Sequence, residues 1–143
     1  MDKKSGLFPN HDGTPAGLVG AMDKAGVDKA VVLSIATKAK QENSVNSFAI
    51  SLLENPRLIP FGSVFPGSET WCEQLERLAE AGIKGIKLHP EYQDFYIDSD
   101  DALKIYEKCG ALNLVVHFHS GEDEAYLPPV HADPVRVNRI CDL

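Results

Sequence analysis

The sequence predicts an α/β fold in which short parallel strands alternate with covering helices. Three observations carry that expectation. Four apolar runs recur at nearly constant spacing, the stretches between them have helical periodicity, and most predicted helices are bounded by start and stop residues. Measured at Ala30, Ile59, Gly85 and Leu114, the spacings are 29, 26 and 29 residues, about the length of one strand, one helix and two short loops.

The elements follow in order. Thr14-Pro15 has the form of an N-cap followed by a first helical residue, and Gly26 supplies the stop. Residues 29–35 form the first apolar run. Val45, Phe48, Ala49, Leu52 and Leu53 then recur at i, i+3, i+4, i+7 and i+8, the stripe of an amphipathic helix that Pro56 ends. The second run covers residues 58–64. Trp71, Leu75, Leu78 and Ala79 form the next helical stripe, starting near Ser68 and ending at Gly82, with Thr70 and Glu73 at capping-box spacing as an alternative start. Residues 85–89 are the third run. Asp98 is placed to cap a helix carrying Leu103, Ile105 and Tyr106, and Asn113 can take the left-handed conformation that closes it. Residues 114–119 are the fourth run, and Asp133-Pro134 repeats the helix-start signal.

Strict alternation leaves two architectures open, a doubly wound open sheet and a (β/α)8 barrel. Eight units of this size would need about 224 residues, near the typical ~250 of such barrels. No strand is followed by a Gly-rich phosphate loop, which weighs against a dinucleotide or P-loop fold. Residues 1–143 read as a single domain, with no linker, repeat or low-complexity stretch.

Composition narrows the function classes. Lys plus Arg is 14 against 21 Asp plus Glu, a net charge of −7, and phosphate backbones need the opposite sign. A nucleic-acid partner is therefore not expected. The apolar runs are far shorter than the roughly 20 residues of a membrane span, and Met1 to Gly6 lack an apolar signal core. Cys72, Cys109 and Cys141 contain no C-x-x-C pair and read as free thiols of a cytoplasmic protein.

Strand alternation locates the chemistry. Ile86 and Leu88 share one face of the third strand, and Gly85, Lys87 and His89 the other. In the fourth, Leu114, Val116 and Phe118 oppose Val115, His117 and His119. In a barrel the apolar faces meet the helices, so Lys87, His89, His117 and His119 point inward, with His89 and His119 at the C-terminal strand ends where barrel active sites lie. Neutral imidazole offers a metal-binding lone pair at neutral pH. His117 sits one layer deeper than His119 and is the weaker ligand candidate. Lys87 is costly to bury charged; it can pair with a carboxylate, bind a substrate anion, or contact a metal once carbamylated. His11 and His131 fall in loops and read as surface or structural residues. Glu122, Asp123 and Glu124 read as a solvated acidic loop. Tyr92, Phe95 and Tyr96 follow His89-Pro90 and form either a substrate wall or ordinary packing.

The run Gly85-Ile86-Lys87-Leu88-His89-Pro90-Glu91-Tyr92-Gln93, with Phe118-His119-Ser120-Gly121 after it, resembles the amidohydrolase-related proteins, metal-dependent (β/α)8-barrel enzymes of the amidohydrolase superfamily. Asp12-Gly13-Thr14-Pro15, Asn55-Pro56-Arg57-Leu58-Ile59-Pro60 and Ile105-Tyr106-Glu107 extend the resemblance over nearly the whole chain. It implies that the four strands are strands two to five of a partial barrel lacking the first strand and the last ones. It implies a metal-ligand role for His119 and an active-site position for His89, taken here as both ligand and catalytic residue, with Lys87 as a second catalytic candidate. The implied cofactor is a divalent metal, zinc by expectation, and the implied substrate a small molecule. The implied reaction is hydrolysis of an amide- or ester-like bond, or non-oxidative decarboxylation. The family's strand-one H-x-H pair, strand-six His and strand-eight Asp have no matching positions.

Three readings compete. The first is a metal-dependent hydrolase of this family, as a fragment or as part of an assembly. The second is a catalytically inactive half-barrel with a structural or interaction role, and the third a metal-free parallel α/β enzyme. Two histidines are too few for a catalytic zinc, which normally takes three protein ligands, so the chain alone is expected to hold zinc weakly or not at all. Open strand edges invite pairing, so a homodimer through those edges is a further expectation.

Overall fold

In the computed structural model, residues 11–126 and 128–141 are described; the signal-peptide reading of Met1 to Gly6 lies outside them. The chain runs α1 (Pro15–Ala25), β1 (Ala30–Leu33), α2 (Glu42–Ser51), β2 (Leu58–Phe61), α3 (Trp71–Glu80), β3 (Gly85–Leu88), α4 (Pro90–Gln93), α5 (Asp100–Ala111), β4 (Val115–Phe118) and α6 (Pro134–Ile140). The strict alternation read from the sequence is present, with the short α4 added after β3.

All strand pairing is parallel among the described residues. β1 pairs with β2 from Ala30–Leu58 to Leu33–Phe61, and β3 with β4 from Gly85–Val115 to Leu88–Phe118. The two ladders are joined at one bridge, Gly62 with Ile86, through Gly62 N–H to the Gly85 carbonyl and Lys87 N–H to the Gly62 carbonyl. Pro60 accounts for the narrowness of that joint. It lies two residues before Gly62, so its missing N–H would have faced β3.

Two glycines permit the close approaches around this joint. A Cβ on Gly62 would lie 2.4 Å from a Leu78 methyl, and one on Gly85 would lie 2.5 Å from the Phe61 ring and 2.6 Å from the Val115 carbonyl oxygen. The Phe61 ring thus lies over Gly85 on the face shared by Val31, Ile59, Lys87, Val115 and His117. Over β1, β2 and the start of β4 that face is open: Val31 is 53% exposed, Ile59 37% and Val115 59%.

The opposite face packs on the helices. Leu75, Leu78, Ile86, Leu88, Ile97 and Ile105 are fully enclosed in the main core, while a smaller cluster of Met22, Leu52 and Leu58 lies under α1. At about 25 cal/mol per Å² of apolar surface removed from water, each such large side chain contributes roughly 1.5–3 kcal/mol.

Several caps match expectation. Thr14 accepts from Gly17 N–H, Gly26 takes the left-handed conformation with φ 67°, and Asp133 accepts from Val135 and Arg136 N–H. Others differ. Ser99, not Asp98, occupies the cap of α5, because Asp98 is drawn to Arg136 and Arg139 of α6. Helix α3 starts at Trp71, with Thr70 at the N-cap position as in the alternative start rather than near Ser68, but the Thr70 side chain makes no cap hydrogen bond. The Ser68 and Thr70 hydroxyls and Phe65 N–H instead all donate to the buried carboxylate of Glu42. The apolar stripe expected along α2 holds only in part, with Ala49 and Leu52 buried. Phe48 and Leu53 are exposed, while Glu42 and Asn46 turn inward. Asn46 accepts from Ser63 N–H and donates to Gln74.

Candidate metal centre

The site is assembled at the C-terminal ends of β3 and β4. His89 follows β3 in an extended conformation (φ −134°) and Pro90 then opens α4, a first-turn position where proline's missing N–H costs nothing. Gln93, one turn on, fixes the arrangement. Its Oε1 accepts from His89 N–H at 2.8 Å, and its Nε2 donates to the carbonyls of Ala36 and Val64, both at 2.8 Å. One buried amide thereby ties together the chain after β1, β2 and β3. His119 N–H donates to the Leu88 carbonyl at 3.1 Å, carrying the β3–β4 register one step further and placing the two imidazoles side by side.

Those rings are stacked, with centroids 4.4 Å apart and planes 7° from parallel. Tyr92 stacks on the other face of His89 at 3.7 Å, and Tyr126 lies 5.3 Å from Tyr92. Asp123 closes the site. Ala125 N–H donates to its Oδ1 and Tyr126 N–H to its carbonyl, so a local turn fixes the carboxylate. Its Oδ2 stands 3.6 Å from His89 Nε2 and 3.9 Å from His119 Nε2.

The donor chemistry fits a divalent cation. Burial first, then the neighbouring His119 and Lys87, push the His89 imidazole from 6.5 down to about 4. It is therefore neutral at pH 7 with a lone pair available. His89 Nδ1 and His119 Nε2 are buried without hydrogen-bond partners among the described residues. Ligand atoms from His89, His119 and Asp123 all lie within 4.8 Å of one another. Tetrahedral ligands at about 2.1 Å from an ion stand about 3.4 Å apart, so the group would have to contract slightly and the stacked rings turn toward each other.

The structure brings His89 and His119 together as read from strand alternation. It turns His117 elsewhere: Lys87 Nζ lies 3.2 Å from His117 Nδ1, on register partners of β3 and β4. Lys87 therefore meets an imidazole where a carboxylate was one expectation, and burial lowers its pKa. The reading of 122–124 as a wholly solvated loop is corrected at its middle residue. Glu122 and Glu124 are exposed, but the Asp123 side chain is only 12% exposed and faces both histidines. The one available signal was its four-residue distance from His119. Gln93 was missed too. Tyr92 forms a wall of the site, Phe95 joins the core, and Tyr96 packs on His131. His11 is exposed, and His131 has the structural role expected, its N–H donating to Glu91.

Among the described residues no helix is long and apolar enough to cross a membrane, and the three cysteines are free thiols. The fold is similar to that of 5-carboxyvanillate decarboxylase from Novosphingobium aromaticivorans DSM 12444, solved with bound manganese and 3-methoxy-4-hydroxy-5-nitrobenzoic acid. That match has a TM-score of 0.62 at 22% identity, over 73% of this chain and 34% of the other. This chain thus spans about a third of that protein's length. No curated protein matches. The family model described as Amidohydrolase matches residues 3–140, and with nearly the whole chain inside that match, the protein belongs to the amidohydrolase family.

Proposed function

We propose that this chain is the strand-two-to-five segment of a (β/α)8 barrel and serves a metal-dependent hydrolase. The observation that carries the reading is the convergence of His89, His119 and Asp123 at the C-terminal strand ends, with the buried His119 Nε2 lacking a hydrogen-bond partner among the described residues. Three N/O donors match the protein share of a catalytic zinc site. A divalent ion held there supplies Lewis acidity toward a carbonyl oxygen and lowers the pKa of a bound water.

The chain's own residues supply the rest. His89, His119 and Asp123 would hold the ion. Tyr92 and Tyr126 wall the substrate side. Lys87, two residues before His89 on the same strand face, brings positive charge toward the oxygen that becomes negative during cleavage. The expected reaction is hydrolysis of an amide- or ester-like bond in a small molecule, in the cytoplasm. Non-oxidative decarboxylation is the second reading, favoured by the fold similarity to the manganese-bearing decarboxylase.

The open inner face bounded by Val31, Ile59 and Val115 needs covering. In this reading the other strands of the barrel, or a second copy of the chain, cover it and complete the ligand set.

The test is a zinc titration of the full chain by competition with a chromogenic chelator, repeated with manganese. One ion per chain is expected, bound in the micromolar range, with His119→Ala weakening it at least about tenfold. Equal binding by both proteins would remove the metal reading and leave the inactive half-barrel.

A further inference from the structure

A second group of carboxylates lies beside the metal donors and shares only Asp123 with them. Glu91, Glu122, Asp123 and Glu124 line one open cavity of about 500 Å³, together with Tyr126, Pro128, Pro129 and Val130. Glu122 and Glu124 reach it from the exposed loop after β4. Glu91 reaches it from α4, and its side chain is only 4% exposed. One oxygen of Glu91 accepts from His131 N–H at 2.9 Å, and the other, Oε2, is buried with no partner among the described residues. A carboxylate oxygen held out of water without a donor is costly, and the natural remedy is a ligand that brings one.

The shape of the group says what kind of donor. The described donors close enough to share a single ion are His89, His119 and Asp123; Glu91, Glu122 and Glu124 are not among them. Carboxylates spread around a cavity of this size suit an organic cation with several N–H groups better than a bare metal ion. Tyr126 adds an aromatic face, which attracts organic cations. Asp123 belongs to both sets, so a cation here would hold the rest of its molecule against the metal donors.

We propose that this cavity is the substrate-recognition pocket and that it takes a primary ammonium or guanidinium group, making the substrate a cationic amide or ester. This rests on the metal-dependent reading of the neighbouring site and sharpens it. An anionic aromatic acid would be repelled by the same carboxylates, so the pocket favours hydrolysis over decarboxylation.

The experiment is calorimetric titration of the full chain at pH 7 in EDTA, with benzylammonium chloride, benzyl alcohol and sodium benzoate as probes. Without metal, the outcome is independent of whether the zinc titration succeeds. Benzylammonium should bind at least about tenfold more tightly than benzyl alcohol, and benzoate should not bind. Glu91→Gln should erase most of that preference. Glu122→Gln, an exposed position whose substitution leaves folding intact, should reduce it severalfold and keeps the test decisive if the Glu91 variant misfolds. Equal binding of the ammonium and the alcohol, tighter binding of benzoate, or a preference untouched by Glu122→Gln in a folded protein would each overturn the proposal.

Discussion

The imidazoles of His89 and His119 lie face to face, 4.4 Å between centroids and 7° from parallel. Two rings in that arrangement hold their ring nitrogens in nearly parallel planes, so binding a shared ion requires one ring to turn. Tyr92 packs against the outer face of His89 and keeps it in place, which leaves His119, half-buried at the end of β4, as the ring that moves. Tyr92→Ala should free His89 as well and weaken zinc binding about threefold to tenfold. His117→Ala should leave zinc affinity unchanged, because that ring faces Lys87. Side-by-side zinc titrations of the two variants check this, and a loss of zinc in the His117 variant would redraw the ligand set.

Gln93 predicts a large stability effect from an uncharged residue. Gln93→Ala strips partners from His89 N–H and from the Ala36 and Val64 carbonyls at once. Unsatisfied buried groups cost about 1–3 kcal/mol each, so urea unfolding should show a loss of about 3 kcal/mol or more. A loss below about 1 kcal/mol would mean that the three strand ends are held by something else.

Gly85→Ala should destabilise by about 1–3 kcal/mol through overpacking. The new methyl would meet both the Phe61 ring and the Val115 carbonyl oxygen, and the second is backbone of the neighbouring strand. Phe61→Leu in the same chain removes only the first clash. Thermal melts should therefore show partial rescue in the double variant; full rescue would show that the Val115 carbonyl gives way freely.

Cys109 gives a signed pH dependence. Burial pushes its thiol from about 9 up to about 12. Between those values the unfolded chain has lost the proton while the folded chain keeps it. The folded state binds more protons, so stability is present below pH 9 and falls as pH rises toward 12. Cys109→Ala should flatten that alkaline slope in denaturant melts at pH 8 to 10.5. Under native conditions Cys141, which is exposed, should react with a thiol reagent while Cys109 stays protected.

Local signals made much of this fold legible. Thr14-Pro15 and Asp133-Pro134 mark helix starts because the caps need only neighbouring backbone, and the alternation of Lys87, His89, His117 and His119 follows from strand geometry alone. Asp98 misled, and Thr70 marks the start of α3 without capping it, because each side chain found a stronger distant partner, Arg136 with Arg139 in one case and Glu42 in the other. The stripe on α2 misled because that helix buries polar groups, Glu42 and Asn46, which a count of apolar positions cannot see. Asp123 stood between two other acids on a loop without period. Its selection depends on the turn that Gly121 opens with φ 88° and on the hydrogen bond from Ala125.

The single bridge between β2 and β3 divides the molecule kinetically. On one side α1, β1 and β2 share a small core of Met22, Leu52 and Leu58; on the other β3, β4 and α5 share the large one. The β2–β3 seam has only two ladder hydrogen bonds, and its further ties, Gln93 to the Ala36 and Val64 carbonyls and Ser63 Oγ to the Lys87 carbonyl, all lie at the C-terminal strand ends, so β1 should open before the larger unit, below the free energy of global unfolding. Amide hydrogen exchange should show Val31, Val32 and Leu33 exchanging long before Ile86, Lys87 and Leu88, with Gly62 marking the boundary between the two rates.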